Sequence, residues 1–199
     1  VKELHAPSTS RARLLEFWGT LSTTLTRVYS SRLVTAVAIR GACPAGGCCL
    51  ALCCDFRAIT AGGSMGLNEV QLGIAVPRYW CELMAATVGA RGAERLLQTG
   101  VTPRSDELLR LGMVDTVAAD AGALLPTVHK EVRRWLANPD EGRVATKAAL
   151  RGDLAHRWTA DIEADAAALW ETMNTPEYLG ALEAVIARLS GGKPAAAKL

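Results

Sequence analysis

The segment Ala38-Ile39-Arg40-Gly41-Ala42-Cys43-Pro44-Ala45-Gly46-Gly47 decides how the rest of the chain is read. Leu33 to Ile39, which leads into it, is a short valine-rich apolar run ended by Gly41, the pattern of a strand buried on both faces. Gly46 through Cys54, which leads out of it, has no charged side chain and predicts a short helix buried all round. Asp55 closes that helix and Phe56 to Thr60 returns as a second strand. Strand, glycine-containing loop, helix and strand in this order make an α/β arrangement. The loop sets free backbone N–H groups at a helix N-terminus, where the helix dipole favours negative charge. Because the helix is apolar, that end is expected to point into the protein. The geometry suits an oxyanion; a tight strand-to-helix turn with no ligand is the ordinary alternative for a Gly-Gly pair.

Beyond the Gly62-Gly63 turn, Met65-Gly66-Leu67-Asn68-Glu69-Val70-Gln71-Leu72-Gly73-Ile74-Ala75-Val76-Pro77 is an apolar stretch broken by glycines, with Glu69 as its one carboxylate. Among Leu67, Val70, Leu72 and Ile74 that carboxyl would be desolvated, which raises its pKa and makes it a competent base near neutral pH. The other reading is a surface Glu on a turn. The three histidines, His5, His129 and His156, lie in polar or amphipathic helical surroundings with no Ser or Cys nucleophile signature, and are expected at the surface.

Upstream, Leu14, Leu15, Trp18, Leu21, Leu25 and Val28 recur at helical spacing and predict a helix over Arg11 to Ser30. Downstream, helices are expected at Tyr79 to Thr87, Gly92 to Gln98 and Ser105 to Leu111, followed by a short strand at Val114 to Val117. From Leu124 the pattern is all helical: Leu124 to Ala137, Glu141 to Leu150, Asp161 to Met173 and Glu177 to Leu189. Asn138-Pro139, Arg151-Gly152-Asp153 and Thr175-Pro176 serve as the breaks. Trp80 and Leu83, just after Pro77, either line a ligand tunnel or pack the helix that carries them. The domain reading is a core over 1–120 carrying the candidate motifs, a helical region over 121–190 and a flexible tail over 191–199.

Composition narrows the function classes. The chain has 199 residues, half of them hydrophobic and 21% charged, as in an ordinary globular domain. A net charge of +2 without a basic stripe argues against a nucleic-acid partner. The apolar stretch around Cys48 to Cys54 falls far short of the roughly 20 residues of a membrane span. The six cysteines, Cys43, Cys48, Cys49, Cys53, Cys54 and Cys81, crowd an apolar segment where neighbours cannot pair in normal disulfide geometry. They read as small buried hydrophobes in a reducing compartment, with no His nearby and no pair of separated CxxC knuckles to suggest zinc.

Taken together, Ala38 to Gly47, an apolar helix ending in Cys54-Asp55, and Met65 to Ile74 with Pro77 resemble the core of the crotonase (enoyl-CoA hydratase/isomerase) family. The likeness is strongest to the mitochondrial-type Δ3,Δ2-enoyl-CoA isomerase branch. It continues through Gly89-Ala90-Arg91-Gly92-Ala93-Glu94-Arg95 and Leu111-Gly112-Met113-Val114-Asp115 to the terminal helices. The resemblance implies an α/β fold of crotonase type, the later part of a ββα spiral with a helical C-terminal region, assembled as a homotrimer. It implies that Gly46 supplies an oxyanion-hole N–H to a thioester oxygen and that Glu69 moves a proton from C2 to C4 of a 3-enoyl-CoA. Ala45, Gly47, Cys49, Asn68, Leu72 and Pro77 are then substrate-binding positions. No metal and no cofactor are implied, coenzyme A being part of the substrate. Hydratases of the family carry a first glutamate three residues after the oxyanion-hole glycine; here that place is Cys49, which favours isomerisation. Val1-Lys2-Glu3-Leu4 resembles the continuation of a Ser-Ala-Gly-x-Asp-like motif whose Ala gives a second oxyanion-hole N–H, so the chain is expected to open in mid-domain, with full activity drawing on upstream residues. The C-terminal Ala197-Lys198-Leu199 resembles a Ser-Lys-Leu peroxisomal address, with a mitochondrial matrix location as the alternative implied by the resemblance.

Overall fold

The computed structural model describes residues 2–189. Two short 3-10 turns precede helix α1 (Arg11–Tyr29), which the Ser10 hydroxyl caps by accepting from the Arg13 N–H. Then follow β1 (Ala36–Ile39), β2 (Ala42–Pro44), α2 (Gly46–Cys53), β3 (Phe56–Thr60) and β4 (Ser64–Gly66). A 3-10 turn at Glu69–Leu72 leads to α3 (Arg78–Thr99), which breaks at Gly89 (φ +76°), in keeping with two helices expected on either side of that point. The remainder is α4 (Ser105–Arg110), β5 (Thr116–Ala118), α5 (Ala121–Leu136), α6 (Asp140–Ala160), α7 (Ile162–Met173) and α8 (Pro176–Leu189).

Two parallel sheets organise these elements. In the first, β3 lies between β1 and β5, with Ala36 opposite Phe56, Ile39 opposite Ile59, and Ala58 opposite Thr116. Alternation along the strands sorts their side chains. Ala36, Ala38, Phe56, Ala58 and Ala118 face Leu124 and Val128 of α5, while Val37, Ile39 and Ile59 join the main core with Trp18, Leu25, Leu52 and Met113. The second sheet is only β2 beside β4, in the register Ala42–Ser64, Cys43–Met65, Pro44–Gly66.

Several expectations change, among them the short strand expected at Val114 to Val117, which forms at Thr116–Ala118. The first strand begins at Ala36 rather than Leu33, and only Ile39 is fully buried, because β1 is an edge strand of its sheet; Leu33 is 73% exposed. Helix α2 is not buried all round: Leu50 is 42% exposed and Gly47 is exposed, so its N-terminus opens partly to the surface. Finally, α6 runs straight through Arg151-Gly152-Asp153. A lone glycine costs a helix only about 1 kcal/mol, and Arg151 ties this turn down by donating to the Tyr29 and Cys53 carbonyls and pairing with Asp55 at 3.0 Å.

Candidate active site

The parallel register of β2 and β4 creates the site. Pro44 pairs with Gly66, so the residues that follow each strand leave the sheet at the same end, one strand spacing apart. From β2 the chain enters Ala45 and then α2; from β4 it enters Leu67, Asn68 and Glu69. The Ala45 N–H donates to the Gly66 carbonyl at 2.8 Å, extending the ladder one step past Pro44.

Ala45 is the one non-glycine residue with positive φ among the described residues, at +53°. Such a conformation costs on the order of 1–3 kcal/mol and persists only where its surroundings hold it. Its carbonyl accepts the first intrahelical bond of α2, from Cys49 at 3.0 Å. The N–H groups of Gly46, Gly47 and Cys48 therefore have no partner within the helix, and they gather at its positive end. A Cβ on Gly47 would press on the Cys43 sulfur at 3.3 Å, while one on Gly46 would touch the Trp80 ring at an ordinary contact distance of 3.6 Å.

Glu69 opens the 3-10 turn after β4 and is 7% exposed. Both carboxylate oxygens are buried and without a hydrogen-bond partner among the described residues. Burial raises its pKa, with a weaker opposing pull from its own backbone N–H. A buried carboxylate with no donor is costly to ionise and correspondingly basic once it does. The surface-turn reading of Glu69 is thereby set aside. The Glu69 charge is felt in the first turns of α2 and α3. Burial first, and then the Glu69 charge, push the Cys81 thiol up, and the same charge is a smaller contributor at Cys48 and Cys49, where burial dominates.

The other sequence-predicted positions surround these two groups to different degrees. Cys49 is fully buried in α2, one turn in from Gly46. Asn68, Leu72 and Pro77 are half-buried on the segment that carries Glu69, and Ala45 is half-buried at the turn. Gly73 ends the 3-10 turn with φ +70°, and a Cβ there would lie 2.6 Å from Ala181 of α8, so the C-terminal helix packs directly on this segment. Trp80 and Leu83 are both core residues, which favours packing over tunnel lining for Leu83, while the Trp80 ring reaches Gly46. His129 and His156 are exposed, but His5 is half-buried, its ring Nδ1 2.6 Å from the Ser8 hydroxyl, because the N-terminal turns fold against the helices rather than away from them. The six cysteines are free thiols, four of them buried. No group of three or more His, Cys, Asp or Glu side chains among the described residues is placed to hold a metal ion. No helix among them is long and apolar enough to cross a membrane.

One cluster went unread in the sequence. Asp55 accepts from the Thr35 N–H at 2.8 Å and the Thr35 hydroxyl at 3.0 Å, and pairs with Lys147 at 2.7 Å and Arg151 at 3.0 Å. It locks α6 to the start of β1 and β3. The only sequence signal was the spacing of Lys147 and Arg151, one helical turn apart on α6.

Comparison with known proteins adds an independent line. The family described as Enoyl-CoA hydratase/isomerase matches over residues 5–187. Human mitochondrial enoyl-CoA delta isomerase 1 is 39% identical over 158 residues, covering 78% of this chain and 52% of the relative. Crotonyl-CoA hydratase of Syntrophomonas wolfei is 36% identical over 110 residues, covering 55% of this chain and 41% of that protein. The crystal structure of human mitochondrial Δ3-Δ2-enoyl-CoA isomerase superposes with a TM-score of 0.90 at 34% identity, over 95% of this chain and 73% of that one. The chain spans about half the length of the curated relatives it matches. With the match running over nearly all the described residues and the fold shared, the chain belongs to the crotonase, or enoyl-CoA hydratase/isomerase, family.

Proposed function

We propose that the chain moves the double bond of 3-enoyl-CoA thioesters to the trans-2 position, with Glu69 as the single base and the Gly46 N–H as an oxyanion donor. The observation that carries this reading is the buried Glu69 carboxylate, unpartnered among the described residues, on a segment that leaves β4 at the same end of the sheet as β2 leads into α2. Glu69 takes a proton from C2, the C3–C4 π electrons are conjugated into a dienolate, and its charge falls on the thioester oxygen. Fixed N–H donors stabilise that charge more in the transition state than in the ground state. The same carboxylic acid then returns the proton at C4, so no other reactant enters and none leaves. Ala45, Gly47, Asn68, Leu72 and Pro77 would contact the acyl-thioester segment.

The similarity to a crotonyl-CoA hydratase raises hydration as a second reading. Cys49, buried and uncharged in α2, cannot orient a water as a second carboxylate would, which favours isomerisation. A spectrophotometric comparison decides between them: turnover of 3-enoyl-CoA without hydration of trans-2-enoyl-CoA supports the proposal, and the reverse overturns it.

Assembly as a homotrimer is part of the same proposal, and light scattering on the purified chain tests it. For location, three relatives are mitochondrial by name, which supports a mitochondrial location. Ala197-Lys198-Leu199 lies outside the described residues, and the peroxisomal reading is tested by fusing the last nine residues to a fluorescent reporter: diffuse signal rules it out.

A further inference from the structure

The first turn of α3 presents two consecutive aromatic residues beside the site, and each stacks on a tryptophan from a different helix. Tyr79 stacks on Trp158 of α6 with ring centroids 5.8 Å apart, and its hydroxyl donates to the Asp161 carboxylate and lies 3.1 Å from the Arg157 carbonyl. Trp80 stacks on Trp18 of α1 with centroids 6.0 Å apart and planes 18° from parallel. The turn is thus held from both sides. From that fixed position the far edge of the Trp80 indole, Cη2, comes within 3.6 Å of the point where a Gly46 Cβ would sit. The residue after Trp80, Cys81, has its thiol pushed up first by burial and then by the Glu69 charge. Trp80 therefore connects the support of the fold to Gly46, the residue that opens α2.

We propose that Trp80 is a positioning residue for the oxyanion site: its ring edge walls one side of Gly46, limits the approach of water to the Gly46 N–H from that side and holds the strained Ala45-Gly46 turn in place. The inference rests on the isomerase reading and deepens it. A hydrogen-bond donor acts more strongly on a developing charge where water is excluded, and only while its direction is fixed. The Ala45 backbone, at φ +53°, is a conformation its surroundings must hold, and Trp80 is the large rigid group in van der Waals reach of the next residue. Trp18, by stacking on Trp80, sets how far the ring reaches.

The test uses acetoacetyl-CoA, a β-ketoacyl thioester whose enolate carries its charge on oxygen and absorbs in the ultraviolet where the neutral form does not. On wild-type chain the bound enolate fraction rises over that in buffer. Trp80→Leu should lower the enolate-to-neutral ratio on the protein by roughly tenfold, a fraction of the ~10²- to 10³-fold lost with an oxyanion donor itself. Its kcat on 3-enoyl-CoA should fall by a similar factor, with KM within about threefold and the acid limb of the kcat profile unmoved. Trp80→Phe should fall between Leu and wild type. Tyr79→Phe, which loosens the same turn from its other side, should lower thermal stability and leave the enolate ratio alone. A folded Trp80→Leu with wild-type enolate ratio and kcat overturns the proposal; should that variant not fold, an unchanged ratio in Trp80→Phe does so. If wild type neither isomerises 3-enoyl-CoA nor forms enolate, the isomerase reading itself fails and this inference with it.

Discussion

The Ala45 amide donates to the Gly66 carbonyl at 2.8 Å, and this one bond ties the turn that opens α2 to the strand that leads to Glu69. The spacing between the start of α2 at Gly46 and the segment that carries Glu69 is therefore set by backbone pairing. Gly66 is essential to that pairing: a Cβ there would lie 2.7 Å from the Val101 carbonyl and 3.0 Å from the Thr102 Cα, both backbone atoms that cannot swing aside. Gly66→Ala should destabilise the fold by about 1–3 kcal/mol, roughly 2–10 °C in melting temperature, and reduce kcat more than it raises KM. Calorimetry and steady-state kinetics check this; an unchanged melting temperature would contradict it.

The Asp55 side chain is 4% exposed and lies between Lys147 and Arg151, whose side chains are also largely buried. Asp55→Asn leaves both cations without their counter-charge while keeping shape and some hydrogen bonding to Thr35. Breaking one partner of a buried pair typically costs about 3–5 kcal/mol. Urea denaturation should show a loss of that size, with kcat of the folded protein retained, since the lock lies on the first sheet and the candidate site on the second.

The raised Glu69 pKa makes a signed prediction about stability. Its ordinary value is 4.5 and burial lifts it in the folded state. Between those two values the native protein binds more protons than the unfolded chain, so stability falls as pH rises through the window. Glu69→Gln has no proton to lose. Its melting temperature should therefore gain on wild type as pH rises from about 4 toward neutrality, and hold a constant lead above the folded-state value. A constant difference between the two proteins across the whole range would show that the carboxyl is not perturbed.

Much of the fold was legible because its cues are strong ones. Helix α1 follows from its apolar period, β3 from Phe56 to Thr60, and the break in α3 from the glycines around Gly89. The second sheet was not legible: three-residue strands made of Ala42–Pro44 and Ser64–Gly66 are too short to show a period. The sequence therefore placed Gly46 and Glu69 in separate loops, and only the register of those strands brings them to one edge. Gly152 misled because a glycine's propensity was weighed without the tertiary contacts of Arg151. The aromatic clamp around Tyr79 and Trp80 had a visible cue, two aromatics directly after Pro77-Arg78, but their stacking partners lie on helices remote in sequence.

Cys49→Glu would place a second carboxylate in α2 at a fully buried position. An uncompensated charge there should destabilise the fold, and in the folded fraction trans-2-enoyl-CoA hydration should become measurable above wild type. A stable, folded variant with no hydration would remove the argument that Cys49 selects isomerisation.

The buried carboxylate of Glu69, unpartnered among the described residues, is proposed to carry the proton. Glu69→Gln keeps the shape of the side chain and removes the base, and 3-enoyl-CoA turnover by the two proteins can be compared directly beside their affinity for the substrate. A positioned general base contributes at least about 100-fold. The account predicts a fall in kcat of that size or more with binding retained; a Glu69→Gln variant that isomerises 3-enoyl-CoA at the wild-type rate would contradict it.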